Sequence, residues 1–217
     1  WYSSNKGQSW VALNDAATTL SVTCITQNPF DGDVIYYGTG EARGVTYGEI
    51  GDGIFKSTDG GVTFNQLPST LNSDFDMVWS VKHSITEANT IYVGTHNKGA
   101  WKSTDAGLTW VKITPGNTAV TDIEVFSDGS VILAYRGSGL YRSSDGSVNS
   151  FTKITSAVAS ASARTEIAKC ETQEGIVYAA MEKYNEGLFN MYKSTDTGKT
   201  WTALSSFPNI GGVQQIY

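Results

Sequence analysis

The chain has 217 residues, 40% of them apolar and 17% charged, with a formal net charge of −6. That supply of apolar side chains supports a sizeable core and excludes a disordered tail. The negative surface argues against a nucleic-acid partner, and no apolar run approaches the ~20 residues of a membrane-spanning helix, so no membrane insertion is expected.

Short strands are expected throughout, because Gly, Ser, Thr and aromatic residues dominate and nothing shows convincing helical periodicity. Residues 1–13 read as the last two strands of one unit. Four complete four-stranded units follow. The first, 22–67, has strands at 22–27, 34–39, 53–57 and 63–67. The second, 78–113, has them at 78–83, 91–95, 99–103 and 109–113. The third, 121–154, has them at 121–126, 131–135, 139–143 and 150–154. The fourth, 165–204, has them at 165–170, 176–180, 188–194 and 200–204. Residues 213–217 read as the start of another unit. The Ala- and Ser-rich stretch 156–164 is expected to be a loop. Runs such as Val-Ile-Tyr-Tyr-Gly-Thr at 34–39 are apolar almost throughout, as suits a strand covered on both faces.

One octapeptide punctuates these units. Residues 57–64 read STDGGVTF, 103–110 read STDAGLTW and 194–201 read STDTGKTW. A copy with an extra residue runs from Ser143 through Asp145 to Phe151, and a worn copy uses Ser3, Asn5, Gly7, Ser9 and Trp10. The closing aromatics recur at intervals of roughly 40 to 55 residues, the length of one propeller blade. The short Asp side chain is expected to accept amide hydrogen bonds two or three residues on. The following Gly tolerates positive φ, and the aromatic pins the hairpin to the sheet. Asp59, Asp105, Asp145 and Asp196 are therefore expected to be structural.

This pattern resembles the Asp-box, or BNR, repeat of sialidases, sortilin-like receptors, xyloglucanase-type glycoside hydrolases and bacterial secreted surface proteins. The resemblance implies an all-β fold, a β-propeller of four-stranded antiparallel blades with Asp-box hairpin turns. The unmatched strands at the two ends favour a segment of a larger propeller over a closed five-bladed ring. The resemblance also implies a secreted or cell-surface location, and a mature, processed or excised chain suits the start at Trp1. Ligands of such propellers meet the face opposite the boxes, which carries the loops between second and third strands and between blades.

On that face the longest loop, 40–53, holds Glu41, Arg43, Tyr47, Glu49 and Asp52. Matching loops bring His96 with Asn97 and Lys98, then Arg136, then Glu182 and Tyr184; the stretch 68–77 adds Asp76 beside Trp79. The ligand-binding candidates are Glu41, Arg43, Tyr47, Glu49, Asp52, Asp76, Trp79, His96, Glu182 and Tyr184. Aromatic rings stack on sugars and carboxylates accept from hydroxyls, so the expected partner is a glycan or an extracellular protein, besides further blades or domains of the same parent chain. The alternative is part of a xyloglucanase-type hydrolase, which needs paired carboxylates from among Glu41, Glu49, Asp52 and Asp76. A sialidase is disfavoured by the scarcity of arginine. No cofactor is expected, and His83, His96, Cys24 and Cys170 make no zinc site. Cys24 and Cys170 lie on first strands three repeats apart, so they are expected to be small buried hydrophobes without a disulfide.

Overall fold

The computed structural model describes residues 1–13, 21–41, 49–156, 163–183 and 187–206. Four antiparallel sheets of four strands follow one another along the chain. Blade 1 comprises β1 (Val22–Asn28), β2 (Asp31–Thr39), β3 (Ile54–Ser57) and β4 (Asn65–Gln66). Blade 2 comprises β5 (Val78–His83), β6 (Ile91–Thr95), β7 (Ala100–Ser103) and β8 (Val111–Lys112), preceded by a 3-10 turn at Pro68–Thr70. Blade 3 comprises β9 (Val120–Val125), β10 (Val131–Tyr135), β11 (Gly139–Ser143) and β12 (Thr152–Lys153). Blade 4 comprises β13 (Arg164–Cys170), β14 (Gln173–Lys183), β15 (Gly187–Ser194) and β16 (Thr202–Ala203). Within each sheet the strands lie in chain order, and the first strands β1, β5, β9 and β13 sit side by side. This is the radial arrangement of a β-propeller.

The core lies between blades. One buried cluster joins Tyr36, Ile54 and Leu67 of blade 1 to Phe75, Val78, Val81, Ile91 and Val93 of blade 2. Another joins Tyr92, Ala100 and Ile113 to blade 3, and a third joins Ile132, Ala134 and Leu140 to Ile167, Met181 and Trp201 of blade 4. Each fully buried aliphatic or aromatic side chain contributes ~1.5–3 kcal/mol. This explains why β6 and β10 are buried at every residue: each second strand faces its own neighbours and the first strand of the next blade. Contact there is close enough to require glycine. A Cβ on Gly38 would lie 2.4 Å from Val78 Cγ1 and 2.8 Å from Cys24 Sγ.

The strands depart from expectation in two regular ways. β2 and β14 extend back to Asp31 and Gln173, because tight turns after Asn28 and Cys170 carry the ladder into polar residues that hydrophobic alternation does not mark. The fourth strands shrink to two residues, because the residues before them belong to the octapeptide turn. Residues 1–13 contribute a Tyr2–Val11 bridge. The expected strand at 213–217 and most of the stretch 156–164 lie outside the described residues, and Arg164 opens β13.

The octapeptide turns share one hydrogen-bond plan, and its reach is longer than expected. In blade 1, Asp59 Oδ1 accepts the amide of Thr63, four residues on, and Oδ2 accepts the Thr63 hydroxyl. Ser57 Oγ donates to Asp59 Oδ1 and accepts the amides of Asp59 and Gly61. Blades 2 and 4 repeat this with Asp105 and Asp196. The worn copy also keeps it: Ser3 Oγ accepts the Gly7 amide and Asn5 Oδ1 the Ser9 amide. Positive φ falls on the residue after the Asp as well as on the Gly, so Ala106 and Thr197 sit at 59°. Hydrogen bonds led by the Thr63 and Thr109 hydroxyls hold the Asp59 and Asp105 carboxyls down at about 2. In blade 3, Asp145 instead accepts from Ser147, two residues on, because the extra residue displaces the partner.

Cys24 and Cys170 are free. Burial pushes the Cys24 thiol up to about 11. Cys170 departs from expectation: it ends β13 at a turn, with Sγ 3.5 Å from Thr172 Oγ1, and hydrogen bonds led by the Thr172 hydroxyl lower its pKa. His83 is a buried strand residue whose Nδ1 lies 2.7 Å from the Ser84 carbonyl oxygen.

Candidate functional site

Hydrogen bonds sort the loops into two ends of the blades. Amides of the octapeptide turns at Gly60, Ala106 and Thr197 donate to the carbonyls of Asp33, Asn89 and Gly175, at the end of each blade where the first strand turns into the second. At the opposite end the loop after β2 meets the connection into β5: the Gly51 amide donates to the Asp76 carbonyl at 2.7 Å. Gly40 has φ +93, and a Cβ there would lie 2.2 Å from the same carbonyl, so the loop can close only over a glycine. Glu41 and Glu49 pair across the base of this loop in an antiparallel bridge, the Glu41 amide donating to the Glu49 carbonyl at 2.8 Å. The Asp52 amide donates to Thr39 Oγ1. Four candidate carboxylate residues thus gather where blade 1 meets blade 2. Arg43, Tyr47 and Tyr184 lie outside the described residues.

Residues 76–79 tie this cluster to a second one. Asp76 O holds Gly51, and Met77 O accepts the His96 amide at 3.0 Å. Trp79 then occupies a β-bulge near the start of β5, between Val78 and Ser80. β1 and β9 carry bulges at the same place, and their bulged residues are Thr23 and Thr121. Both threonines stitch blades together: Thr23 Oγ1 donates to Val78 O and Thr121 Oγ1 to Thr165 O, each on the next blade's first strand. Trp79 has no hydroxyl to give. Its ring packs instead against His96, with centroids 4.5 Å apart and planes tilted by 53°, and the Arg136 guanidinium carbon stands 5.9 Å from the ring centroid. Bulges re-aim side chains at functional sites, and here the scaffold's own residue has been replaced.

Arg136 lies in one of the matching loops but is not among the candidates read from the sequence. The available signal was its place in the repeat, since His96 follows β6 and Arg136 follows β10 directly. Arg136 Nη1 lies 3.4 Å from His96 Nε2. A guanidinium can only donate, so Nε2 accepts and Nδ1 carries the imidazole proton. That Nδ1 is buried without a hydrogen-bond partner. Burial lowers the His96 pKa, and the Arg136 charge lowers it further, so the positive charge over Trp79 belongs to Arg136. Glu182 is buried at the corresponding place of blade 4 and is not joined to this trio by any described contact. Lys98 reaches toward Asp74, at 4.0 Å.

Beneath the trio, charged residues link three first strands. Asp122 of β9 accepts from Ser80 Oγ at 3.0 Å and from the Ile167 amide at 2.8 Å, reaching the blade on either side. Lys82 lies 3.3 Å from Glu124, and Lys169 lies 3.7 Å from Glu124 and 3.4 Å from Glu174. Burial lifts the Asp122 carboxyl to about 7; Lys82 pulls against it and Glu166 adds to it. Sequence patterning hid this network, because acids on an all-buried strand break the apolar run that marks such strands.

No protein-family model and no curated protein matches the chain. Solved structures do. An ancestral GH74 enzyme matches 86% of this chain at 20% identity and a TM-score of 0.65, and the GH74 xyloglucanase of Xanthomonas campestris matches 88% at 17% and 0.63. The extracellular domain of a putative one component system from B. thetaiotaomicron matches 84% at 15% and 0.55. The chain covers only 24%, 32% and 22% of those chains. At these identities the likeness is one of fold: the chain is four blades of β-propeller, matched to part of a larger chain in each case.

Proposed function

We propose that this chain is a binding module of an extracellular Asp-box propeller, and that it takes a glycan on the face opposite the octapeptide turns. Trp79 carries the proposal: it stands where the repeat elsewhere places a blade-stitching threonine, and it meets His96 and Arg136 from two neighbouring loops. An indole offers an apolar ring face to sugar C–H groups, and the carboxylate residues at 41, 49, 52 and 76 supply acceptors for hydroxyls on the same side. A peptide adding to a sheet edge would need a longer strand than the two-residue β4, β8, β12 and β16. The fold likeness to glycoside hydrolases and to an extracellular domain supports both ligand class and location. The Glu41–Glu49 bridge favours a second reading, a hydrolase with its carboxylates at the base of that loop.

Substituting Trp79→Thr tests the binding reading, because it restores the residue that the scaffold uses at this bulge. Thermal stability should hold or rise, as the introduced threonine can stitch to β9. Affinity for a bound polysaccharide, found from a panel of β-glucans, xyloglucan and uronate polymers, should fall at least tenfold, which is ~1.4 kcal/mol. A variant that binds as the parent does would refute the site, and release of reducing ends by the parent would favour the hydrolase.

A further inference from the structure

The Trp79 trio also bears on which glycan is bound. We propose that the ligand is acidic, a uronate-bearing glycan whose carboxylate is met by Arg136; this rests on the binding reading above. The chain as a whole carries a formal charge of −6, and Asp74 and Asp76 lie in the connection into β5 beside this trio. A neutral sugar would need only the acceptors and the ring. Yet two successive blades each deliver a basic side chain from the same repeat position onto one indole, His96 after β6 and Arg136 after β10. Their contact fixes the division of labour. Because His96 accepts from Arg136 and is held neutral, it orients the guanidinium without adding repulsion. Indole and neutral imidazole then hydrate the guanidinium poorly on two sides. A planar guanidinium in such a setting gains most from a carboxylate, which it can meet with two parallel hydrogen bonds.

A matched pair of probes tests this: an oligogalacturonate and the same oligosaccharide with its carboxyls reduced to alcohols, titrated against the parent, Arg136→Gln, Arg136→Lys and Trp79→Thr. The parent should bind the acid form at least tenfold more tightly than the reduced form, and added salt should narrow the gap. Arg136→Gln should erase the preference, so that the variant binds the acid and reduced forms alike. Arg136→Lys should keep part of it, and this arm remains informative if the Gln variant fails to fold. Equal binding of both probes by the parent, abolished by Trp79→Thr, would overturn the acidic ligand and leave the glycan-binding module standing. A preference that survives in both Arg136 variants would overturn the assignment to Arg136. Binding of neither probe nor any other glycan, or capture of an acidic peptide instead, would overturn both.

Discussion

Replacing Gly38 with alanine tests whether the blades are held by direct contact between the second strand of one and the first strand of the next. The added Cβ would lie 2.4 Å from Val78 Cγ1, 2.9 Å from Val78 Cβ and 2.8 Å from Cys24 Sγ. Val78 is fully buried in the cluster that joins blades 1 and 2, so it cannot swing into solvent. Overpacking of this kind costs ~1–3 kcal/mol, which for a chain of this length lowers Tm by about 2–12 °C. Differential scanning calorimetry of Gly38→Ala, Val78→Ala and the double variant measures it. Val78→Ala removes the nearest obstructing methyl but leaves Val78 Cβ and Cys24 Sγ in place, so Gly38→Ala should cost less on the Val78→Ala background than on the parent. An unchanged Tm for Gly38→Ala, or strictly additive losses in the double variant, would refute direct interlocking at this point.

Two further outcomes are expected. Burial raises Asp122 from 3.8 to about 7, so its protonated form is favoured by folding, and the stability it contributes is complete below pH 4 and lost as pH rises through 7. His83 and His96, both lowered by burial, oppose this below pH 6.5, so the test is the difference between parent and Asp122→Asn, in which the histidines cancel. That difference, from urea unfolding, should shift toward the variant as pH rises from 4 to 7, and a flat difference would contradict the raised carboxyl. Thr197 is β-branched and sits at φ 59°, so Thr197→Gly should raise Tm by ~1–4 °C, with relief of left-handed strain exceeding glycine's extra unfolded-state freedom.

Most of the architecture was written in local pattern. β5, β6, β10 and β11 run over the residues that alternation and turn chemistry mark, and in β6 and β10 the run is apolar almost throughout because a second strand packs between blades. The octapeptide turns were legible for the same reason: Ser57, Asp59 and Thr63 satisfy one another within seven residues, without help from distant chain. What local pattern missed depends on comparing blades. Neither Thr23 nor Thr121 looks unusual alone, and Trp79 looks like one more strand aromatic until the three bulges are superposed. Arg136 joins the proposed site through its contact with His96, forty positions away. Asp122 and Glu124 sit on an all-buried strand, where only partners on adjacent blades, Ser80, Lys82, Ile167 and Lys169, make such burial tolerable.

Hydrogen–deuterium exchange with and without a bound glycan would locate the contact surface most directly. Protection should appear at residues 76–79, at 95–99 after β6 and at 135–138 after β10, and exchange at the octapeptide turns 57–64 and 103–110 should not change. Protection confined to those turns, with the Trp79 segment unaffected, would place the ligand on the opposite face and contradict the proposed site.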